Sequence, residues 1–256
     1  MRTTLLAAAA MTAALACPAH AELAYITAPG VDQARAKEIV FKYVDEVAPS
    51  LKTAIGDVPL YVFNSQADYK KAAKELRLTT EQVAGTPKYT AVSWIPIDCN
   101  NKAYRRSTSF FLNDIEKNDK EEDRRHIVIH ELMHQLDGVT CFSKSAEFQA
   151  AWKRDNAAFR NDVKKFSKTD PKLAKALNAV FGYYVSDSYE AFADVGANLI
   201  KMPDKEWRKT YFAIFANTWP VVMKHLEKQK IATEAIWPTE EKPTNDVIVD
   251  GFKKVN

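Results

Sequence analysis

Apolar residues along this chain change their period part-way, and the change divides it into a mixed first part and a helical second part. Val40, Val44 and Val47 recur at helical spacing with charges between them, which predicts an amphipathic helix over residues 32–47, with Pro49 as its stop. Leu60-Tyr61-Val62-Phe63 is a short strand, and Asn64-Ser65 offers caps for a helix running to about Leu76. A loop through Gly85-Thr86-Pro87 follows. Two strands are then expected, residues 89–97 and 107–112, joined by a polar turn over residues 98–106. Residues 118–137 predict a helix whose apolar stripe is Ile129, Leu132, Met133 and Leu136, with Gly138 at the usual stop position. After Cys141 the spacing is helical. Phe148, Trp152 and Phe159 mark one helix, residues 188–201 another, and Trp207, Tyr211 and Phe215 a third, with Pro220 near the start of the next. From Ile236 the chain is rich in proline and charge and reads as irregular. The order predicts an α+β fold, a small mixed β-sheet with helices followed by a mostly helical C-terminal half. No repeat, low-complexity tract or Gly/Ser linker interrupts residues 22–256, so one domain is expected there.

The first 21 residues read as an address. Arg2 precedes an apolar run from Leu5 to Ala16 that is short for a bilayer span, and Ala19-His20-Ala21 has the small-x-small form of a signal-peptidase site. The mature chain is expected to begin at Glu22 and to be exported, to a periplasm or outside the cell. Cys17 offers the rival of lipoprotein cleavage, against which Ala14 stands where a leucine is usual. Of the 36 Lys and Arg residues only Arg2 leaves with the signal, so the mature chain sets 35 against 33 acidic residues. That near-balance argues for neither nucleic acid nor an anionic membrane as partner, and no later apolar run reaches transmembrane length. Cys99 and Cys141 remain, and in an exported chain such a pair is most simply a disulfide. It would close a loop of about 42 residues and contribute roughly 4 kcal/mol in the chain-entropy picture. Service as zinc ligands is the alternative, weakened by the lack of any C-x-x-C spacing.

The chemistry concentrates in His130-Glu131-Leu132-Met133-His134, which matches H-E-x-x-H. On a helix, residues four apart share a face, so both imidazoles reach one ion, while Glu131 projects about 100° round and can touch a water there without being a ligand. A catalytic zinc site takes three protein ligands and leaves one position open. The form with a third histidine fails, because Asp137 stands where its glycine would be and Thr140 where its histidine would be. The other mature histidines are His126 and His225. His126, one turn before His130, is poorly placed for a tetrahedral site and reads as a residue behind the ligands or on the surface, and His225 as a packing or surface residue. A carboxylate third ligand is therefore expected. Glu190 is the best candidate, with Asp194 one turn later to hydrogen-bond the free ring nitrogen of a ligand histidine. The plainer alternative is that Asp187-x-x-Glu190 is a capping box and Asp194 an ordinary surface charge.

Together, His130-Glu131-x-x-His134, Glu190-x-x-x-Asp194 and the upstream Phe181-Gly182-Tyr183-Tyr184 resemble the gluzincin zinc peptidases, and in particular the catalytic domain of the anthrax lethal factor family and the related secreted Pro-Pro endopeptidases. The resemblance spans about residues 90–201. It implies a zincin-like fold, one catalytic Zn²⁺ on His130, His134 and Glu190, Glu131 as general base, and Tyr183, seven residues before Glu190, as a hydroxyl that assists the oxyanion. Read without it, Tyr183 and Tyr184 are aromatics in a loop before a helix, where core packing is the default. Departures are Asp194, where these relatives tend to carry a glutamate, and the Cys99/Cys141 pair. The expectation is an exported zinc-dependent endopeptidase acting on polypeptide, with residues 90–94 as an exposed edge strand that holds substrate extended. The rival functions are a zinc amidase acting on cell-wall material, and a non-catalytic zinc- or partner-binding protein on a peptidase scaffold.

Overall fold

The computed structural model describes residues 23–72, 90–95, 106–118, 120–201 and 205–233, with the backbone alone for residues 205–209. The expected signal peptide, the loop at Gly85-Thr86-Pro87, nearly all of the turn after residue 97, Cys99 and the tail after Ile236 lie outside the described residues, and the proposed Cys99–Cys141 bond with them.

The first part builds an α+β layer. Strand β1 (Ala24–Thr27) precedes a helical stretch capped by Asp32, whose carboxylate accepts from the Ala34 and Arg35 amides. The stretch is α1 (Gln33–Ala36), a π-helical turn over Lys37–Phe41, and α2 (Lys42–Glu46), so the expected single helix is present but widened in its middle. Pro49 is not its stop. Val47 is already extended, and Pro49 opens the next helix, α3 (Pro49–Ile55), where its missing N–H costs no hydrogen bond. Strand β2 (Pro59–Phe63) leads to α4 (Gln66–Ala72), capped by Ser65 Oγ on the Asp68 amide at 3.3 Å. The expected strand pair is β3 (Ala91–Trp94) and β4 (Ser107–Phe111), followed by the short α5 (Leu112–Ile115).

These strands form a mixed sheet in the order β1-β2-β4-β3, parallel except for β3, which runs antiparallel to β4. Every residue of β4 is buried, as a central strand covered on both faces requires. Strand β3 is an edge among the described residues. Phe111 N donates to Thr90 O at 3.1 Å, so by antiparallel alternation the main-chain groups of Ala91 and Ser93 point away from β4.

The motif helix α6 (Glu121–Thr140) lies across this layer. Residues Val128 to Asp137 are all buried, so the expected division into a buried stripe and a separate histidine face is too simple. The sheet edge, α2 and α3 cover one side, and the C-terminal helices cover the other. Two of its buried polar side chains are held by neighbours: Gln135 Nε2 donates to Ser107 O at 2.9 Å, and Ser143 N donates to Asp137 Oδ1 at 2.8 Å. Gly138 does not end the helix either. The left-handed residue that closes it is Cys141, at φ 54°. Gly138 is needed for closeness, since a Cβ there would stand 2.9 Å from Ile95 Cγ2 and 3.1 Å from Arg106 Cδ.

After a 3₁₀ turn over Phe142–Lys144 come α7 (Ala146–Thr169), α8 (Pro171–Ser186), α9 (Ser188–Ile200), α10 (Lys205–Ile214) and α11 (Thr218–Lys228). Helix α8 takes in Tyr183 and Tyr184, which are therefore in a last helical turn and not in a loop. One hydrophobic cluster runs from Leu23 to Ile231 and joins both parts. No helix among the described residues is long and apolar enough to cross a membrane.

Candidate metal centre

Helices α6 and α9 pack closely, because α9 presents Gly196 to Met133 of α6, and this contact brings Glu190 to the two histidines. Asp187 starts α9, accepting from the amides of Tyr189 and Glu190 at 2.7 and 3.4 Å. The capping alternative thus describes Asp187 correctly. The side chain of Glu190 goes elsewhere, with Oε2 at 3.1 Å from His130 Nε2 and 3.5 Å from His134 Nε2. The two histidine Nε2 atoms face each other at 3.1 Å.

Three potential ligand atoms thus form a triangle with edges of 3.1, 3.1 and 3.5 Å. Ligands at the usual zinc distances on a tetrahedral ion stand about 3.3 Å apart, so the triangle fits such an ion. Both histidines are 8 % exposed, so the site is sheltered from bulk water. A metal also accounts for the donor set, since two ring nitrogens directed at one point beside a carboxylate is a poor arrangement for hydrogen bonding alone.

Glu190 and His134 also act strongly on each other's charge. Burial disfavours charge on both Glu190 and His134, yet each group's partner outweighs that cost. The hydrogen bonds from His130 and His134 hold the Glu190 carboxyl far below the usual carboxylate range. Glu190, with Glu131 and Asp137 assisting, raises the His134 ring to about 9.

Glu131 is 8 % exposed, and its Oε2 is buried with no hydrogen-bond partner among the described residues. A buried carboxylate oxygen without a partner is uncommon in a folded protein, and this one lies close enough to the triangle to act electrostatically on His134. Its backbone is anchored to the sheet edge, where Ser93 Oγ donates to Glu131 O at 3.0 Å.

Asp194 is 2 % exposed, so it is not a surface charge. Its Oδ1 lies 3.8 Å from His130 Nδ1 and 2.8 Å from His126 Nε2. The nearer partner is His126, so of its two expected places, behind the ligands or on the surface, the structure gives the first. Tyr183 is 51 % exposed, whereas the ring of Tyr184 stands edge-on to His130 at 5.8 Å between centroids. Burial, followed by the charges of Asp194, Glu190 and Glu131, raises the Tyr184 hydroxyl well above its ordinary value, so it remains a proton donor. His225 is a packing residue, stacked on Phe142 at 3.8 Å.

Comparison of the chain with protein-family models, curated proteins and solved structures finds no match.

Proposed function

We propose that the protein is an exported zinc-dependent endopeptidase of the gluzincin kind, with a zincin-like fold, acting on extended polypeptide. The observation that carries the reading is the convergence of His130 Nε2, His134 Nε2 and Glu190 Oε2 beside the unpartnered carboxylate oxygen of Glu131. His130, His134 and Glu190 would hold the zinc, which would supply a Lewis acid to make water nucleophilic near neutral pH. Glu131 receives the proton of the attacking water and delivers it to the leaving amine. We assign the oxyanion-assisting hydroxyl to Tyr184, whose ring packs on His130, in place of Tyr183.

Substrate binding follows from the sheet edge. The main-chain groups of Ala91 and Ser93, which face away from β4, can pair with an extended peptide, and the Ser93 bond to Glu131 O keeps that edge next to the general base. Trp94 Nε1 donates to Tyr69 OH at 2.9 Å, which stiffens the strand's end. Export rests on the form of the first 21 residues.

Glu131→Gln tests the reading. The variant should retain zinc, because residue 131 is not a ligand, and lose cleavage of casein or a peptide library by at least about 100-fold, at the lower end of what a general base contributes. Undiminished cleavage with zinc bound would end the general-base assignment. A zinc-loaded wild type that cleaves wall fragments and no peptide would move the substrate class to the amidase rival.

A further inference from the structure

Asp194 sits where three helices meet. Oδ1 lies 2.8 Å from His126 Nε2 and 3.8 Å from His130 Nδ1, both on α6, and Oδ2 accepts the Tyr211 hydroxyl of α10 at 2.5 Å. The α9 backbone at this point is held as well, by Asn198 Nδ2 donating to Asp194 O at 2.9 Å. A carboxylate can only accept, so His126 carries its proton on Nε2. Both oxygens are therefore engaged by donors that are not in the ligand triangle. Rotation of the carboxylate would break two hydrogen bonds, one of them to Tyr211, which is 2 % exposed.

His130 presents the complementary need. Its Nδ1 is buried and has no hydrogen-bond partner among the described residues. With Nε2 serving as a ligand, the ring proton must reside on Nδ1, and that buried N–H requires an acceptor. Oδ1 of Asp194 has a lone pair left beyond the one His126 uses, and a shift of about 1 Å brings it within hydrogen-bond range. The three histidines, four residues apart on one face of α6, thus divide their work. His130 and His134 reach the triangle, and His126 reaches past it to the carboxylate behind.

We propose that His126 and Tyr211 are positioning residues that clamp Asp194 from either side, hold it as the acceptor for His130 Nδ1–H, and thereby set the zinc affinity of the centre. The proposal rests on the reading that His130, His134 and Glu190 hold zinc. His126, His130 and Asp194 are also close enough together to form a cation site of their own. That arrangement would require His130 to use both ring nitrogens as ligands and Asp194 to give up a bond, so a hydrogen-bonded chain is the better account.

Zinc affinity of the full chain, measured by chelator competition, tests the clamp without reference to turnover. Asp194→Ala should weaken binding 10- to 100-fold, as loss of a partner behind a ligand histidine does elsewhere. His126→Ala and Tyr211→Phe should each weaken it about 10-fold or somewhat less, and His126→Gln, which restores an N–H donor, should recover most of the loss. The decisive comparison is His126→Ala/Asp194→Ala, which should bind no more weakly than Asp194→Ala alone, because His126 acts through that carboxylate. Thermal melting of the metal-free variants monitors folding, and Tyr211→Phe removes one oxygen while keeping the packed ring. Wild-type affinity in both His126→Ala and Tyr211→Phe, or additive losses in the double variant, would overturn the clamp. Two zinc ions per wild-type chain, with one lost in His126→Ala, would overturn it in favour of a separate cation site. A wild type that binds no zinc overturns the clamp together with the ligand reading, and is distinguished by having no affinity for the variants to alter.

Discussion

Burial alone would keep His134 neutral, and the Glu190 carboxylate 3.5 Å from its Nε2 reverses that preference, so the ring holds a proton up to about pH 9. The pair stabilises the metal-free fold in a definite window. Its His134 part is complete below the unfolded value near 6.5 and is lost as pH rises through about 9, and its Glu190 part is present above the unfolded value near 4.5 and is lost as pH falls. A metal ligand must be unprotonated, so zinc entering at pH 7 has to displace the His134 proton. Zinc uptake at pH 7 should therefore release about one proton per ion, and affinity should rise about tenfold per pH unit up to pH 9 and flatten above it. Calorimetry in buffers of different ionisation enthalpy measures the count, and a value near zero at pH 7 would show that His134 is already neutral. Spacing alone made His130, Glu131, His134 and Glu190 legible, because helical period and ligand chemistry are local rules. The partner of His126 and the roles of Tyr184 and Tyr211 were not, since each depends on which helices meet around Asp194.

The elements were legible where their apolar period was clean, and misread where burial came from two sides. Helix α6 was read as one-faced because Ile129, Leu132, Met133 and Leu136 form a good stripe, but packing between the sheet and α9 also buries its opposite side. Helix α8 was missed in part because Gly182 and the paired tyrosines resemble a loop. Gly196 shows what the crossing of α6 and α9 requires. A Cβ there would lie 2.2 Å from Met133 Cε and 3.1 Å from both its Cγ and Sδ. Alanine is favoured over glycine in a helix interior by about 1 kcal/mol, whereas overpacking a filled core costs about 1–3 kcal/mol. Met133 is fully buried, and its Cγ and Sδ cannot swing clear as a terminal methyl can, so the steric term wins. Gly196→Ala should lower thermal stability and also weaken zinc binding, because the displaced helix carries Glu190. Adding Met133→Ala should recover part of both losses. Unchanged melting and unchanged affinity in Gly196→Ala would mean that the two helices are not held at this distance.

At the scale of the whole molecule, the centre joins the two parts that the sequence pattern separates. His130 and His134 come from the helix lying on the sheet, and Glu190 comes from the helical half, 60 residues beyond His130. The continuous core already holds these parts together, so the metal-free chain should fold and the ion should add stability by mass action. Free zinc at 100 times its dissociation constant contributes about 2.7 kcal/mol. For a domain of this size each kcal/mol moves the melting temperature by about 2–4 °C, which gives a rise of roughly 5–11 °C. Stripping the protein with a chelator should lower the melting temperature by that amount, and zinc should restore it, with magnesium ineffective because it favours an octahedral set of oxygens. The discriminating control is His134→Ala, which removes one corner of the triangle and leaves most of the core intact. Its melting temperature should be nearly indifferent to zinc, and a full zinc-dependent rise in that variant would place the stabilising ion somewhere other than between α6 and α9.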